Sequence, residues 1–264
     1  MNRPNGWSWC APREFVIGGR EYIVAQELEL LKPAHWMDWS YLPITPSDVY
    51  TPMLWTGNDA GLSGAVNYLA EHPTGETILL WNEPERPEQA NMSPEKARIW
   101  TQRFLREMWD TGVEFQWAAP GISINMQDYD GLAWLTEYVR LMRRTGISRP
   151  SYWHIHSYRA NTVNQLLCAW DNWLEWWKAW GKDAPVVISE VCAENALVDQ
   201  QKRIMDACRE LLRLGQNGGA IGVYWFATHP TNVVHWPNAY LCELSSEGTD
   251  MQLTELGRHW IGLK

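Results

Sequence analysis

The sequence predicts an α/β fold, a (β/α)₈ TIM barrel that residues 1–264 form as a single domain. Short apolar runs alternate with longer segments of helical periodicity along the whole chain, which is typical of βα units around a parallel sheet. Eight apolar runs can be counted in this alternation. The length of 264 residues suits one barrel better than two domains of average size.

The eight predicted strands differ in how strongly the sequence supports them. The third is the weakest, because Pro52 cannot donate a hydrogen bond to a neighbouring strand. The other runs contain no such break. The strands are predicted at residues 6–11, 35–40, 49–55, 77–82, 114–119, 152–158, 186–191 and 220–227.

The predicted helices lie between these strands and form the outer ring. The clearest begins with Ser93, whose side chain can cap the helix, and with Pro94 in the first helical position. This helix is expected to end at Gly112. Segments 130–145 and 198–214 carry apolar residues at three- and four-residue spacing, which predicts one buried face on each helix.

Composition and charge exclude several classes of function. The net charge of −9 has no compensating basic run, so the chain would repel nucleic acid, and a neutral substrate fits better. No apolar stretch approaches the roughly 20 residues of a membrane span. Residues 1–6 lack the apolar segment of a signal peptide. The five cysteines are scattered and form no C-x-x-C pair, which argues against a disulfide framework or a zinc site.

Two glutamates stand at the carboxyl ends of predicted strands, where barrel enzymes keep their catalytic groups. Glu83 follows the run Ile-Leu-Leu-Trp-Asn, and Glu190 follows Val-Val-Ile-Ser. Either glutamate alone would more often cap a helix or face solvent. Two such carboxylates in one barrel are what glycoside hydrolysis requires, because one protonates the leaving oxygen while the other attacks the anomeric carbon or activates water.

Three polar residues alternate along the sixth predicted strand and therefore project to one face. They are His154, His156 and Tyr158. The H-x-H spacing also suggests a metal site, but the further histidines and the lysine of barrel amidohydrolases are missing, so we expect no metal. His156 and Tyr158 are predicted to form hydrogen bonds beside Glu190, whereas His154 can be a satisfied interior residue. With no nucleotide-binding glycine loop, no cofactor is expected.

Tryptophan is the outlier of the composition, with 19 residues against four phenylalanines. An indole ring complements the apolar face of a sugar. Trp225 ends the eighth predicted strand and could form the floor under the sugar that is cleaved. Trp36, Trp39 and Trp55 end earlier strands and could contact more distant sugars. The alternative for each of them is packing inside the protein.

These motifs resemble the clan A retaining glycoside hydrolases, and most closely glycoside hydrolase family 128 (GH128), which acts on β-1,3-glucans. The resemblance rests on segments 52–55, 82–84, 89–95, 156–158, 189–190 and 253–257. It implies a cofactor-free, endo-acting enzyme that binds a β-glucan polysaccharide or oligosaccharide.

The resemblance also implies a role for four residues. Glu83 would be the general acid/base and Glu190 the nucleophile, while Asn82 would bind the substrate's 2-hydroxyl and Tyr158 would orient Glu190. Two residues depart from the family pattern, since Trp81 stands where phenylalanine is more common and Asp38 where asparagine is expected.

Several alternatives stay open on the sequence. A clan A enzyme acting on mannan, xylan or β-1,4-glucan, or a carbohydrate-binding barrel without activity, would fit much of the same pattern. A metal-dependent hydrolase is the third alternative. We expect a monomer with no membrane partner. A polymeric substrate favours action outside the cell, although the sequence leaves the localisation open.

Overall fold

The predicted α/β fold with parallel sheets is confirmed in the computed structural model. The structure describes residues 6–10, 20–45, 47–72, 77–124, 130–158, 160–182, 184–214, 220–226, 238–246 and 250–262. Each of the eight predicted strands has a counterpart within one of these ranges. None of the described helices is both long and apolar enough to cross a membrane.

The strands are shorter than predicted at several positions. The third strand has only two residues, which agrees with the disruptive effect of Pro52. A short strand after the fifth and a hairpin near the carboxyl terminus were not predicted. The strands are β1 (Gly6–Cys10), β2 (His35–Met37), β3 (Met53–Leu54), β4 (Thr77–Leu80), β5 (Gln116–Ala118), β6 (Ile122–Ser123), β7 (Trp153–Ser157), β8 (Val186–Val191), β9 (Ala220–Trp225), β10 (Cys242–Leu244) and β11 (Met251–Leu253).

The helices begin and end where their capping residues indicate. Ser93 accepts a hydrogen bond from the Lys96 amide at 3.2 Å, and Gly112 ends the same helix with a left-handed φ of 71°. The predicted bounds of this helix are therefore confirmed. The helices are α1 (Arg20–Leu31), α2 (Asp59–Glu71), α3 (Pro94–Thr111), α4 (Gly131–Thr145), α5 (Val163–Trp176), α6 (Val198–Leu214) and α7 (Glu255–Gly262), and a π-helical turn at Trp177–Gly181 extends α5.

The strands in the described ranges form two parallel sheets and one hairpin. The larger sheet has the order β2-β1-β9-β8-β7-β6, the smaller has β3-β4-β5, and β10 pairs with β11 in antiparallel fashion. Isolated parallel bridges between Trp36 and Tyr50 and between Ala118 and Tyr152 link the two sheets. The carboxyl ends of the parallel strands therefore lie at the same edge, where loops can bring functional residues together.

The two faces of the strands pack into separate apolar clusters. The larger cluster lies between the strands and the helices. The inner cluster takes one side chain from each of seven strand positions, namely Met37, Met53, Leu79, Ala118, Tyr152, Val187 and Tyr224. Because side chains alternate along a strand, the residue two positions later continues the inner face towards the carboxyl edge.

We expect the substitution Gly121→Ala to destabilise the fold, because this glycine lies against a histidine ring that has no room to move. A Cβ at position 121 would lie 2.2 Å from Cε1 of His154. That ring is fixed between the Ser189 hydroxyl at 2.9 Å and the Leu80 carbonyl at 3.0 Å. Overpacking of this kind costs about 1–3 kcal/mol, which urea unfolding would measure.

Gly262→Ala is the matched control, because a Cβ there would meet no described atom within 4 Å. Equal stability of the two variants would contradict the packing that we describe around Gly121.

Candidate active site

Glu83 reaches the inner face because the backbone changes its partner strand just after β4. The Asn82 amide donates to the Trp55 carbonyl at 2.9 Å, whereas the Glu83 amide donates to the Gly121 carbonyl at 2.8 Å. Trp81 and Glu83 both adopt left-handed φ values, of 51° and 41°. Such conformations are unfavourable for residues with side chains and tend to persist at functional sites. This irregular turn leaves the Glu83 side chain only 2% exposed.

Glu190 reaches the same place through a β-bulge. Ile188 pairs with Val223 and Val191 pairs with Trp225, so two residues of β8 face one residue of β9. Bulges of this kind redirect side chains and are common beside active sites. The bulge places Glu190 opposite His156 on β7.

A single histidine nitrogen lies between the two carboxylates. Nδ1 of His156 is 3.0 Å from Oε1 of Glu83 and 3.6 Å from Oε2 of Glu190. The remaining oxygens have their own donors, because Arg86 Nη1 lies 2.8 Å from Glu83 Oε2 and the Trp39 indole donates to Glu190 Oε1 at 2.5 Å. The structure therefore brings Glu83, Glu190 and His156 together, and it places Trp39 directly on Glu190, whereas the sequence predicted Trp39 at a more distant sugar.

The electrostatics of this cluster follow from burial and from close charges. Burial lowers the pKa of His156, but the charges of Glu190 and Glu83 outweigh it and leave this pKa above the ordinary value. Burial, with the charge of Glu83, raises the pKa of Glu190 to about 7, against the opposing effects of His156 and the Trp39 indole. The free site can therefore hold a proton near neutral pH, which the groups exchange as a unit.

The buried carboxylate of Asp38, next to Trp39 in the chain, ties the following loop together. Asp38 Oδ1 accepts a hydrogen bond from the Tyr50 hydroxyl, and Oδ2 accepts one from the Ile44 amide at 3.1 Å. An asparagine could accept only at its single amide oxygen. The departure from the family pattern at position 38 therefore has a structural reason.

Glu85 and Arg86 are members of the site that the sequence reasoning missed. Glu85 Oε1 accepts from the Ser123 amide at 2.8 Å. Burial, and to a lesser degree the charge of Glu83, raises the pKa of Glu85 to about 7. The run of charged residues after Pro84 was the available signal, since an arginine three residues after Glu83 in a tight turn can fold back onto it.

Four buried polar atoms of the site have no hydrogen-bond partner in the described part of the protein. They are Asn82 Oδ1, Glu85 Oε2, Ser123 Oγ and His156 Nε2. Ser123 pairs with His156 across β6 and β7. The Asn82 amide group already donates to Gln89 at 3.1 Å, so its oxygen is left to accept. Buried polar groups of this kind suit hydroxyl-bearing ligands or water, which is compatible with the predicted role of Asn82.

His154 has the structural role that the sequence left open. Its Nε2 donates to the Leu80 carbonyl at 3.0 Å, so Nδ1 accepts from the Ser189 hydroxyl at 2.9 Å. Burial lowers the pKa of His154 to about 3, which keeps the ring neutral. No group of three or more His, Cys, Asp or Glu side chains suited to a metal ion occurs in the described ranges.

Aromatic rings extend the inner face beside Glu190. Phe226 packs edge-on against Trp39 with ring centres 5.6 Å apart, and against Tyr158 at 5.2 Å. Tyr158 also packs against His156 at 6.1 Å. Trp55 is half-buried and packs against the inner cluster. The predicted bond between Tyr158 and Glu190 and the sugar contact of Trp55 stay predictions.

The positions of Trp36 and Trp225 correct two of the sequence predictions. Both side chains are 0% exposed and belong to the cluster between strands and helices. Trp36 packs against Tyr50, and the Trp225 indole donates to the Ala239 carbonyl at 2.7 Å. Because neighbouring residues of a strand point to opposite faces, Phe226 instead of Trp225 lies beside the carboxylates.

Comparison with known proteins identifies relatives over nearly the whole chain. Residues 29–260 match the family model described as glycosyl hydrolase catalytic core. None of the curated proteins matches the sequence. Three solved structures illustrate the likeness in fold.

A GH128 subgroup II endo-β-1,3-glucanase from Sorangium cellulosum is 21% identical, with a TM-score of 0.70 and 98% of each chain covered. A GH128 subgroup I endo-β-1,3-glucanase from Amycolatopsis mediterranei, in complex with laminaritriose, is 18% identical, with a TM-score of 0.71 over 98% of this chain and 100% of that one. A GH128 subgroup III curdlan-specific exo-β-1,3-glucanase from Blastomyces gilchristii, in complex with glucose, is also 18% identical, with a TM-score of 0.69 over 97% of each chain.

We expect Glu85→Gln to stabilise the protein in a pH-dependent way. The pKa of Glu85 is raised to about 7 in the fold, so between the ordinary carboxyl pKa and pH 7 the folded state holds a proton that the unfolded state has released. Stability of the wild type therefore falls as pH rises through this range. The variant should match the wild type near pH 4 and exceed it by about 1–3 kcal/mol near pH 8.

Urea unfolding at both pH values measures this difference. Glu137→Gln, at an exposed position, serves as the control. A Glu85→Gln effect that is independent of pH would contradict the burial of this carboxyl group.

Proposed function

Because the chain belongs to the glycosyl hydrolase catalytic core family, we propose that it hydrolyses β-1,3-glucan, with Glu83 as general acid/base and Glu190 as nucleophile. The observation that carries this assignment is the pair of buried carboxylates on either side of one histidine nitrogen. Two carboxylates that flank a glycosidic bond are the catalytic groups of most glycoside hydrolases.

The substrate is proposed from charge, shape and the relatives. A neutral glucan avoids the repulsion that a polyanion would meet at a net charge of −9. The aromatic rings of Trp39 and Phe226 offer apolar surface to a sugar ring. The similar structures are β-1,3-glucanases by their descriptions, and one of them contains laminaritriose. We propose endo action, as in the Sorangium and Amycolatopsis enzymes, although the Blastomyces relative is exo-acting.

The proposed reaction proceeds by double displacement. Glu190 attacks the anomeric carbon while Glu83 gives its proton to the departing sugar oxygen, and the resulting glycosyl-enzyme is hydrolysed by a water that Glu83 deprotonates. Oε1 of Glu83 and Oε2 of Glu190 lie 3.0 Å and 3.6 Å from the same atom, His156 Nδ1. The sum of these two distances is an upper bound on the distance between the two oxygens. This bound is compatible with the separation of about 5–5.5 Å between the carboxyl groups of retaining enzymes.

His156 has a part in this mechanism because it faces both carboxylates with the same nitrogen. The reaction starts with the proton on Glu83 and with Glu190 ionised. A proton on Nδ1 can pass to Glu83 Oε1, which lies 3.0 Å away, whereas Glu190 Oε2 at 3.6 Å is beyond direct hydrogen-bond reach and feels the histidine through its charge. The Trp39 indole favours the ionised form of Glu190 by donating to it.

The site also supports a proposal about the architecture. We propose that the two parallel sheets close into a (β/α)₈ barrel within a single domain. The two isolated bridges between the sheets and the inner cluster that seven strand positions share support this closure.

We expect the wild type to release reducing ends from laminarin and curdlan, and Glu190→Gln and Glu83→Gln to lose at least about 10³-fold in kcat/KM, since each removes a group that reacts with substrate. Glu137→Gln, at an exposed site, should keep full activity.

Sizing the products separates endo action, which gives mixed oligosaccharides, from exo action. A wild type inactive on both glucans but active on mannan, xylan or β-1,4-glucan would overturn the proposed substrate. Glucan binding without hydrolysis would instead indicate a binding module.

A further inference from the structure

Arg86 occupies a position that the proposed mechanism does not use. Its Nη1 lies 2.8 Å from Oε2 of Glu83, while Nε and Nη2 lie 2.7 Å and 2.5 Å from Oε1 of Glu88. The exposed fractions of the side chains are 2% for Glu83, 16% for Arg86 and 47% for Glu88. One guanidinium group therefore connects the buried carboxylate to a carboxylate at the surface.

Both oxygens of Glu83 face hydrogen-bond donors in this arrangement. His156 Nδ1 lies by Oε1 and Arg86 Nη1 by Oε2. A guanidinium group has donors only, so it stabilises a carboxylate and opposes a proton on the oxygen that it contacts. A general acid must carry a proton on one oxygen. His156 Nδ1 can accept as well as donate, so it can tolerate a proton on Oε1, whereas Arg86 only donates and has to leave before Oε2 can carry a proton.

The two donors differ in their freedom to move. His156 is fully buried within β7 and paired with β8. Arg86 lies in the loop after β4, is partly exposed, and has an outer partner in Glu88 to which it can remain bound. Arg86 is therefore the donor that can leave Glu83.

We propose that Arg86 is a positioning residue that occupies Oε2 of Glu83 in the free enzyme, and that the leaving-group sugar displaces it from that oxygen. The proposal rests on the proposed function, because it takes Glu83 as the general acid. Glu83 can therefore act as the general acid only when substrate occupies the site.

The other charges around Glu83 determine the sign of the pH effect. Cationic or potentially cationic groups stabilise the carboxylate, and neighbouring carboxylates oppose it. The groups that act on the site are Arg86, Glu85 and Glu88 of the same loop, His156 of β7, and Glu190 of β8. Removal of Arg86 takes away a contacting cation and leaves the three carboxylates, so protonated Glu83 becomes more favourable.

We therefore expect Arg86→Gln to move the alkaline limb of the kcat/KM profile upward by about one pH unit or more. The acid limb should rise less, because the charge of Arg86 lowers the pKa of Glu190 less than His156 and the Trp39 indole do. Arg86→Lys keeps the cation and should restore the wild-type alkaline limb. The matched control is Arg98→Gln. It removes an arginine of similar exposure that is also paired to a glutamate three residues away, but on α3, where the glutamate is 54% exposed. The pH profile of this control should not move.

A measurement without substrate separates this inference from the proposed function. In ¹³C-glutamate protein, the side-chain carboxyl signal of Glu83 can be assigned by its loss in Glu83→Gln, and its titration midpoint should rise in folded Arg86→Gln. A midpoint and alkaline limb that stay at the wild-type values would overturn the role of Arg86. A wild type that hydrolyses no glucan would instead overturn the proposed function, while the titration would still decide whether Arg86 holds Glu83 ionised.

Glu88→Gln provides a second variant if Arg86→Gln does not fold. It leaves Arg86 in place and removes the outer carboxylate, so the guanidinium charge acts more fully on Glu83. The alkaline limb and the midpoint should then fall, and no movement of either would also overturn the proposal.

Discussion

The contact of His156 with two buried carboxylates is the interaction on which the rest of the site depends. Removing a carboxylate from water is energetically costly unless hydrogen-bond donors or opposite charges face it. Here His156 and Arg86 face Glu83, while His156 and the Trp39 indole face Glu190. The local irregularities of the fold serve this arrangement, since the turn after β4 and the bulge in β8 bring the carboxylates to one nitrogen.

Much of this arrangement could be predicted from the sequence because it follows from strand position. The strands, the capping of α3 and the approximate location of Glu83 and Glu190 depend on local patterns. The bulge in β8 could not be predicted, because this strand is buried along its whole length and has no alternation of apolar and polar residues that an extra residue could shift. The wrong predictions for Trp36 and Trp225 have a related cause. Alternation indicates that neighbouring residues of a strand point to opposite faces, but only packing determines which of them faces inward.

The protonation of the site also lies beyond sequence reasoning. Sequence indicates which residues are acidic, but burial and neighbouring charges decide where protons reside. The structure raises the pKa of both Glu190 and Glu85 to about 7 through burial, and it places Arg86 on the residue proposed to be the acid. In the proposed mechanism, substrate binding therefore changes the contacts of Glu83. The loop after β4, which carries Glu83, Glu85 and Arg86, is where that change can occur.

The stereochemistry of hydrolysis tests the central claim most directly. Glu83 and Glu190 acting by double displacement would release laminari-oligosaccharides whose new reducing end is first the β-anomer, as in the substrate. Proton NMR of a fresh digest, recorded before mutarotation, distinguishes the anomers. Initial appearance of the β-anomer is the expected result, and initial appearance of the α-anomer would contradict the assignment of Glu190 as nucleophile.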